Sequence, residues 1–548
     1  MANVNQLPQP NAACLPGGVT DQHGKNAFIV RFGTATQEAV PTGSVSHTAS
    51  TDLTRFPNGL GTYTKGLMQI SPGIVQPATF DQFLKTCGLK PGGPLGDFEH
   101  ANIQLGGTRK LNGPLGAFAL QLVGTDSRGF GDAVVLTPPA LDSVEYAIEL
   151  VELYWASLLR DVPFTEYAAN ATAQAAAMEL SALVAAHPGK YAGPLDAGKV
   201  TPGFLFRGGF NAQPGYFQGA IVGPYISQFC LLPTFLGRMP LDQKLKTLAA
   251  GQDFVTTLWE WENIQNGVAP SAVAVFDDHH RYVHTGRDTA SYTQGDELYQ
   301  AYLIAYLVCS TLGIRANMQS PYITPFKKEQ AFGTFGGPDI TATLGAVARA
   351  AINAVWYQKW LVHLRHRPES GGGIAHLLKN NLLNAADKAK LGNFDIVLNS
   401  VALNLSNIRN GSDLLSQAFP EGSPTHPAYP TGHGTVAGAC ITVLKFFLNG
   451  GDTIANPVVP SCDGLYLEPY VGPGQLTVNG ELHKLAFNIS FGHGIHAGIH
   501  WRSDTDYSLL LGEAVAISFL EDQMWTYEEN FAITITKMDG TPHQFKNH

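Results

Sequence analysis

Apolar side chains recur at the spacing of an α-helix through most of the chain after Pro139, and this pattern predicts a mainly α-helical protein. The first predicted helix runs from the capping dipeptide Asp142-Ser143 to Arg160, with Val144, Ile148 and Val151 on one face. The same reasoning predicts further helices over residues 168–186, 241–262, 295–313, 339–366, 394–407, 432–449 and 505–521.

Two turn sequences predict β-hairpins near the end of the chain. Asn479-Gly480 separates two short runs of alternating polarity, and Asp539-Gly540 follows the β-favouring run at residues 533–536. Both dipeptides favour a two-residue type I′ turn. The fold class predicted from these patterns is mainly α with minor β-hairpins.

The N-terminal part of the chain has a different character. Residues 1–135 are rich in Gly, Pro and Thr and show little helical periodicity, which predicts an extended arm of short strands and turns. Such an arm could wrap its own core or a partner subunit. Residues 136–548 show neither a linker nor an internal repeat and are predicted to form one helical domain.

Composition narrows the classes of partner. Hydrophobic residues make up 44% of the 548 residues and charged residues only 14%, which favours a homo-oligomer that hides part of each subunit's surface. The formal charge of -10 argues against nucleic acid as a partner. The six cysteines form no Cys-x-x-Cys pair, so the sequence predicts neither a zinc site nor a redox pair.

Neither a secretory signal nor a membrane span is predicted. The N-terminus lacks the apolar core of a signal peptide, and the longest apolar stretch, near residues 301–314, is too short to cross a bilayer. The sequence predicts a soluble, cytoplasmic protein.

Candidate chemistry lies in three separated motifs. Lys359 lies near the end of a predicted helix and Arg367 just beyond it, so both cations can turn towards one point. Thr431-Gly432-His433 begins another helix, whose free N–H groups suit an anion. His500 lies in a stretch rich in Gly and His. Taken singly, these motifs also fit a solvated basic helix end, an ordinary capped helix and a structural histidine. Together they favour an oxyanion site with two imidazoles.

In this order the three motifs resemble those of the vanadium-dependent haloperoxidases and of the acid-phosphatase superfamily that shares their site. Longer segments resemble the red-algal and cyanobacterial bromoperoxidase branch, and the resemblance covers about residues 135–525. The segments are Lys359-Trp-Leu-Val-His-Leu-Arg-His-Arg-Pro-Glu, Glu421-Gly-Ser-Pro-Thr-His-Pro-Ala-Tyr-Pro-Thr-Gly-His and Gly498-Ile-His-Trp-Arg-Ser-Asp.

The resemblance implies a helical-bundle architecture and a bound orthovanadate. His500 would ligate the vanadium, and His433 would act as acid–base catalyst. The anion's oxygens would be held by Lys359, Arg367, Thr431 and the Gly432 N–H. Lys359 would also polarise hydrogen peroxide. The halide would leave as hypohalous acid, which halogenates a small organic acceptor. The resemblance also implies dimer-based assemblies, up to a dodecamer, and in some relatives a structural calcium.

His426 bears on the choice of halide. It matches a histidine that bromoperoxidases of this branch place near the site, which implies bromide and iodide rather than chloride as substrates. The alternative is a loop histidine without a catalytic role. Asp504 has two open roles as well, since it could orient His500 or cap the helix that follows.

Two positions depart from the pattern of the family. Thr431 replaces the usual Ser and keeps its hydroxyl. Gly494 stands six residues before His500, where the family has an Arg that clamps the oxyanion. Three explanations remain open: protonated His493 or His496 substitutes for the Arg, a distant arginine such as Arg365 or Arg502 fills the gap, or the site is weakened. A substituting His493 predicts that vanadate binds more weakly at high pH.

Competing functions follow from the same residues. A phosphatase would use the same cations with His500 as nucleophile, and an inactive scaffold would explain the missing Arg. A divalent-metal site built from His493, His496 and His500 is a further alternative, but no carboxylate lies within that triplet and the Lys–Arg pair would repel a bare cation.

Overall fold

The computed structural model describes residues 3–11, 19–39, 45–209, 215–323, 326 and 328–548. Sixteen α-helices lie in these ranges, so the predicted mainly α fold class is confirmed. They are α1 Gln22–Ala39, α2 Asp52–Arg55, α3 Pro77–Thr86, α4 Val144–Leu158, α5 Ala171–Ala186, α6 Leu258–Gln265, α7 Gly286–Gln294, α8 Gln300–Leu312, α9 Gly337–Tyr357, α10 Pro368–Lys379, α11 Ala385–Lys388, α12 Asp395–Leu398, α13 Val401–Asn410, α14 Gly432–Phe447, α15 Val478–Phe491 and α16 Arg502–Gln523.

The strands of the described residues form small antiparallel pairs, namely β1 with β2, β3 with β4, β5 with β6, β7 with β8 and β9 with β10. Their bounds are β1 Gln69–Ser71, β2 Ile74–Val75, β3 Thr234–Leu236, β4 Met239–Leu241, β5 Leu245–Leu248, β6 Phe276–Arg281, β7 Val458–Pro460, β8 Leu467–Pro469, β9 Ala532–Thr536 and β10 Pro542–Lys546.

Helix α14 lies at the centre of the core. All of its residues are buried, and it packs against α16, α9 and α15. Gly438 of α14 and Gly512 of α16 allow a close approach, because a Cβ at either position would collide with the main chain of the other helix. This packing fixes the N-terminus of α14, where Gly432 and His433 lie.

Most of the predicted helices are confirmed. α4, α5, α8, α9, α14 and α16 match the segments predicted from residues 143, 168, 295, 339, 432 and 505, with ends that differ by a few residues. The helix predicted over residues 394–407 is divided into α12 and α13, because Ser400 caps a new helix through the Leu403 N–H.

Two local predictions are wrong. Residues 241–262 form β5 and only the start of α6, because β5 pairs with the distant strand β6 and Thr257 caps a later helix through the Glu260 N–H. Asn479-Gly480 lies in the first turn of α15, because the Thr477 side chain accepts the Gly480 N–H and begins a helix there. The other hairpin is confirmed, since Asp539-Gly540 connects β9 to β10.

The N-terminal segment contains more helix than its composition predicts. Helix α3 has Pro77 at its start and buries Phe80, Phe83 and Leu84, which recur at helical spacing. Together with other residues of the segment they form a small apolar cluster around Trp360, beside the end of α9. The described part of this segment from residue 52 onward therefore packs on the chain's own core, which was one of the two expected roles.

No helix in the described ranges is long and apolar enough to cross a membrane. The five cysteines within these ranges are free thiols, of which Cys462 is exposed. Cys14 lies outside the described residues.

Candidate active site

Two π-helical turns introduce the candidate residues. Gln358–His363 continues α9 and carries Lys359, and Gly492–His496 continues α15 and carries His493. A π-turn closes i→i+5 hydrogen bonds, and such turns occur frequently at functional sites. Both turns lie near the N-terminus of α14, so the described structure brings the three sequence motifs together.

Lys359 and Arg367 are both buried and are held by main-chain carbonyls. The Lys359 Nζ donates to the carbonyls of Pro427 (2.8 Å) and Ala428 (2.7 Å). The Arg367 Nε donates to the carbonyl of His426 at 3.0 Å. The carbonyls of residues 426–428, which belong to one loop, therefore position both cations.

His500 is fully buried with its two ring nitrogens engaged differently. Its Nδ1 lies 2.9 Å from the Asp504 Oδ2, and its Nε2 lies 2.7 Å from the Arg367 NH1. Because arginine only donates and a carboxylate only accepts, this pairing places the ring proton on Nδ1 and the lone pair on Nε2. The same Asp504 oxygen accepts the Trp501 N–H, so Asp504 orients His500 and also supports the start of α16, as the third residue of a helix that begins three residues earlier than predicted.

Neither distant arginine is free to fill the place of the missing Arg. Arg365 pairs with Asp504 at 2.7 Å and with Glu149 at 3.3 Å. Arg502 forms a buried pair with Glu152. The Arg365 pair instead supports Asp504, and through it the orientation of His500.

Thr431 is the N-cap of α14, but its side chain caps nothing. Its Oγ1 is buried and has no hydrogen-bond partner among the described residues, which is costly for a hydroxyl. The N–H groups in the first turn of α14, including that of Gly432, lie beside this hydroxyl. As at any helix N-terminus, they have no carbonyl partner within the helix. A hydroxyl and these N–H groups form a donor set that suits an oxyanion.

His433 and His493 form a stacked pair. Their ring centroids lie 3.8 Å apart with an interplanar angle of 25°, and the His493 ring lies 5.6 Å from that of His500. The His433 Nε2 lies 3.0 Å from the Asp296 Oδ1. The His493 Nδ1 is buried without a partner in the described part of the chain. His493 therefore lies between the two predicted site histidines.

His496 lies outside this cluster. Its Nε2 lies 2.9 Å from the Tyr225 hydroxyl, and its ring packs edge-on against Phe164 and Phe206. The π-turn breaks the 3.6-residue period, so His493 and His496 do not share one face. No cluster of three or more His, Cys, Asp or Glu that suits a metal occurs among the described residues.

His426 is buried and contacts the NH2 of Arg367, whereas His500 contacts the NH1. The His426 Nδ1 lies 3.0 Å from the Arg367 NH2 and 3.1 Å from the Pro427 carbonyl oxygen, and its ring lies 4.8 Å from that of Trp356. Trp356 is only partly buried, and its ring also lies next to Gly432. His426 and Trp356 thus line one approach to the cation pair.

The electrostatics of the cluster favour an anion. Burial and the neighbouring Arg367 hold the pKa of Lys359 well below its usual value, and burial lowers the pKa of Arg367 to about 10. Burial and the same two cations lower the pKa of His500, and burial and His433 lower that of His493. A bound anion would relieve this repulsion between buried positive charges.

Sequence reasoning missed Asp296, Trp356 and the loop carbonyls. Asp296 follows α7 and is 137 residues from His433 in the chain. No local pattern marks such a partner, and main-chain carbonyls carry no sequence signal. The capping motif of Asp504 was the one local clue to a carboxylate beside a histidine.

Known proteins are similar in sequence to this chain over most of its length. A vanadium-dependent bromoperoxidase from Ascophyllum nodosum is 36% identical over 433 residues, which are 77% of this chain and 74% of the relative. The chain belongs to the vanadium-dependent bromoperoxidase family. A vanadium-dependent bromoperoxidase from Corallina pilulifera is 31% identical over an alignment of 558 positions that covers 89% of this chain and 91% of the relative. No family model matches the sequence.

The fold of the family is also shared. The homohexameric structure of the second vanadate-dependent bromoperoxidase (AnII) from Ascophyllum nodosum matches with a TM-score of 0.82 and 28% identity, and covers 98% of this chain and 94% of that chain. The stretch around Gly494 is where the sequence departs from the pattern expected of the family. A Cβ at Gly494 would lie 3.1 Å from the His500 Cβ, so a side chain there would press on His500. His493 occupies the adjacent space.

Proposed function

We propose that this protein binds orthovanadate at the N-terminus of α14 and uses it to oxidise bromide, and also iodide, with hydrogen peroxide. One observation carries the proposal. Two buried cations, Lys359 and Arg367, and the imidazoles of His493 and His500 lie together at the N-terminus of α14, where the buried hydroxyl of Thr431 has no partner within the described residues. Membership of the vanadium-dependent bromoperoxidase family supports the choice of vanadate over phosphate.

The residues present fit an oxyanion. Lys359, Arg367, the Thr431 hydroxyl and the Gly432 N–H would hold its oxygens, and His493 would add a donor in place of the missing Arg. The His500 Nε2, whose lone pair accepts from the Arg367 NH1, would ligate the vanadium once that guanidinium turns to the oxygens of the anion. Asp504 fixes the tautomer that this ligation requires.

Vanadate supplies a Lewis acid that activates hydrogen peroxide while the metal keeps its oxidation state. Overall, hydrogen peroxide, a halide ion and a proton give hypohalous acid and water, with two electrons passing from halide to peroxide. His433, oriented by Asp296, would accept and return the peroxide proton. Lys359 would polarise the peroxide, and His426 with Trp356 would line the halide's approach. The hypohalous acid would then halogenate a small organic acceptor.

Vanadate-dependent bromination of a diketone dye tests this function. We expect the metal-free protein to be inactive with hydrogen peroxide and bromide, and we expect turnover to appear on addition of orthovanadate. Inorganic phosphate should compete with vanadate, because both use the same cations. Hydrolysis of a phosphate ester without bromination would favour the phosphatase alternative. Neither activity in a folded protein would favour an inactive scaffold.

Replacing His493 with alanine is expected to raise the Kd of orthovanadate by about 10- to 100-fold, since loss of one donor to a bound metal group typically costs this much. His496→Ala is a matched control: it removes a histidine of the same π-turn three residues away, which is bonded to Tyr225. Isothermal titration with orthovanadate compares the two variants. Equal affinities in both variants would contradict a role for His493 in place of the Arg.

The remaining expectations stay proposals. A homo-oligomer is supported by the exposed apolar side chains of the β3–β4 hairpin, Phe235, Leu236 and Met239, and by the homohexameric relative. The dimer-based and dodecameric forms stay predictions. A structural calcium also stays a prediction, and carbonyl oxygens would have to supply many of its ligands, since no acidic cluster suits a metal in the described ranges.

A further inference from the structure

A buried ion pair lies next to the loop at residues 421–428, whose carbonyls position Lys359 and Arg367. The Lys65 Nζ lies 2.8 Å from the Glu369 Oε1 and 3.0 Å from the Oε2, and both side chains are at most 2% exposed. Glu369 lies two residues after Arg367, in the first turn of α10. Its carboxylate also accepts from the Gln265 side chain of α6. The pair therefore joins the N-terminal segment to the element that carries Arg367.

The same ammonium group holds the start of the loop. The Lys65 Nζ donates to the carbonyls of Ser423 (2.6 Å) and Glu421 (3.1 Å), and the Ser423 N–H donates to the Glu369 Oε2 at 2.7 Å. Gly422, between them, has a φ of +60°, and a Cβ there would collide with the Glu369 carboxylate. The loop is thus seated on the ion pair through its main chain.

The end of this loop forms part of the candidate site. Residues 426–428 supply the three carbonyls that accept from Arg367 and Lys359, and His426 itself contacts Arg367. Between the two ends, the N-terminal segment adds further contacts: the Asn112 N–H donates to the Thr425 carbonyl at 2.8 Å, and Arg109 donates to the Glu421 carbonyl at 2.9 Å.

We propose that Lys65 is a positioning residue for the oxyanion site, which its ammonium group preorganises by fixing the loop at residues 421–428. This inference rests on the proposed function. It assigns the N-terminal segment a part in the chemistry, because the segment sets the places of Lys359, Arg367 and His426. A displacement of the loop would misplace both cations at once, and the affinity for a bound anion depends on such supporting contacts.

Lys65→Met tests the proposal, because methionine keeps the length of the side chain and removes its charge. Lys484→Met is the matched control, since Lys484 forms another buried pair, with Glu481 at 2.6 Å, within α15. We expect Lys65→Met to raise the Kd of orthovanadate about tenfold or more, and to raise the KM for bromide. Hydrogen exchange of the amides at residues 421–428 should quicken in this variant. Lys484→Met should leave all three close to wild type.

The double variant Lys65→Met/Glu369→Gln separates positioning from general stability. Removing the unpaired carboxylate should restore much of the thermal stability, because an unpaired buried charge destabilises the fold more than the loss of the whole ion pair does. We expect its vanadate affinity to stay weak, since the loop carbonyls still lack their donor. Affinity that recovers together with stability, or that matches the Lys484→Met control, would overturn the proposal. A wild-type protein that does not bind vanadate would instead overturn the proposed function.

Discussion

Replacing His500 with alanine is expected to reduce vanadate-dependent bromide oxidation to the level of free vanadate in solution. His500 is fully buried, its Nδ1 is fixed by Asp504, and its Nε2 lone pair faces the Arg367 side of the cluster. Loss of a supporting residue alone typically costs 10- to 100-fold in metal affinity, so loss of the ligand should raise the Kd of orthovanadate by more than about 100-fold.

The same variant should distinguish vanadate from phosphate. Phosphate needs only charge and N–H donors, which Lys359, Arg367 and the start of α14 retain, so its binding should fall much less. His483→Ala serves as the control, because His483 is an equally buried histidine of α15 whose Nδ1 lies 3.0 Å from the Gln218 carbonyl. Steady-state bromination and isothermal titration give the two readouts. A His500→Ala variant that keeps vanadate-dependent turnover would show that another residue ligates the metal.

Replacing His433 with alanine is expected to lower kcat for bromide oxidation by about 10²- to 10⁴-fold, the usual contribution of a positioned acid–base group. His433 is stacked on His493, and its Nε2 lies 3.0 Å from the Asp296 Oδ1. These contacts hold its ring at the side of the candidate site. The affinity for vanadate should change less than in the His500 variant, because the cations and the ligand remain.

Asp296→Asn provides a graded comparison. It keeps the shape of the side chain and removes the charge that orients the imidazole, so kcat should fall in the same direction by a smaller factor. Stopped-flow bromination at saturating vanadate separates kcat from binding. If kcat is unchanged in the His433 variant while the vanadate affinity is lost, His433 is a binding residue and not an acid–base catalyst.

The parts of the site that follow local rules could be predicted from the sequence. Gly432 at the start of a helix and Arg367 ahead of Pro368 mark helix boundaries, and boundary rules depend on neighbours in the chain. Asp504 could be recognised as a cap, and the cap also turned out to be the partner of His500. Helix existence followed from the apolar period, as in α4 and α14.

The remaining features depend on contacts between distant residues. Asp296 reaches His433 across 137 positions, and β5 finds its partner in β6 only in the folded chain. The π-turn at Gly492–His496 overrides the helical period, which is why His493 joins the cluster while His496 turns to Tyr225. Lys65 acts through carbonyl oxygens, which leave no mark in a sequence. Propensity and periodicity contain none of this information.

Titration of the metal-free protein with orthovanadate, followed by calorimetry and by vanadium NMR, tests the central claim most directly. We expect one tightly bound vanadate for each chain, displaced by excess phosphate and lost in the His500→Ala variant. The absence of saturable binding, or binding that His500→Ala leaves intact, would contradict a vanadate site ligated by His500 at the N-terminus of α14.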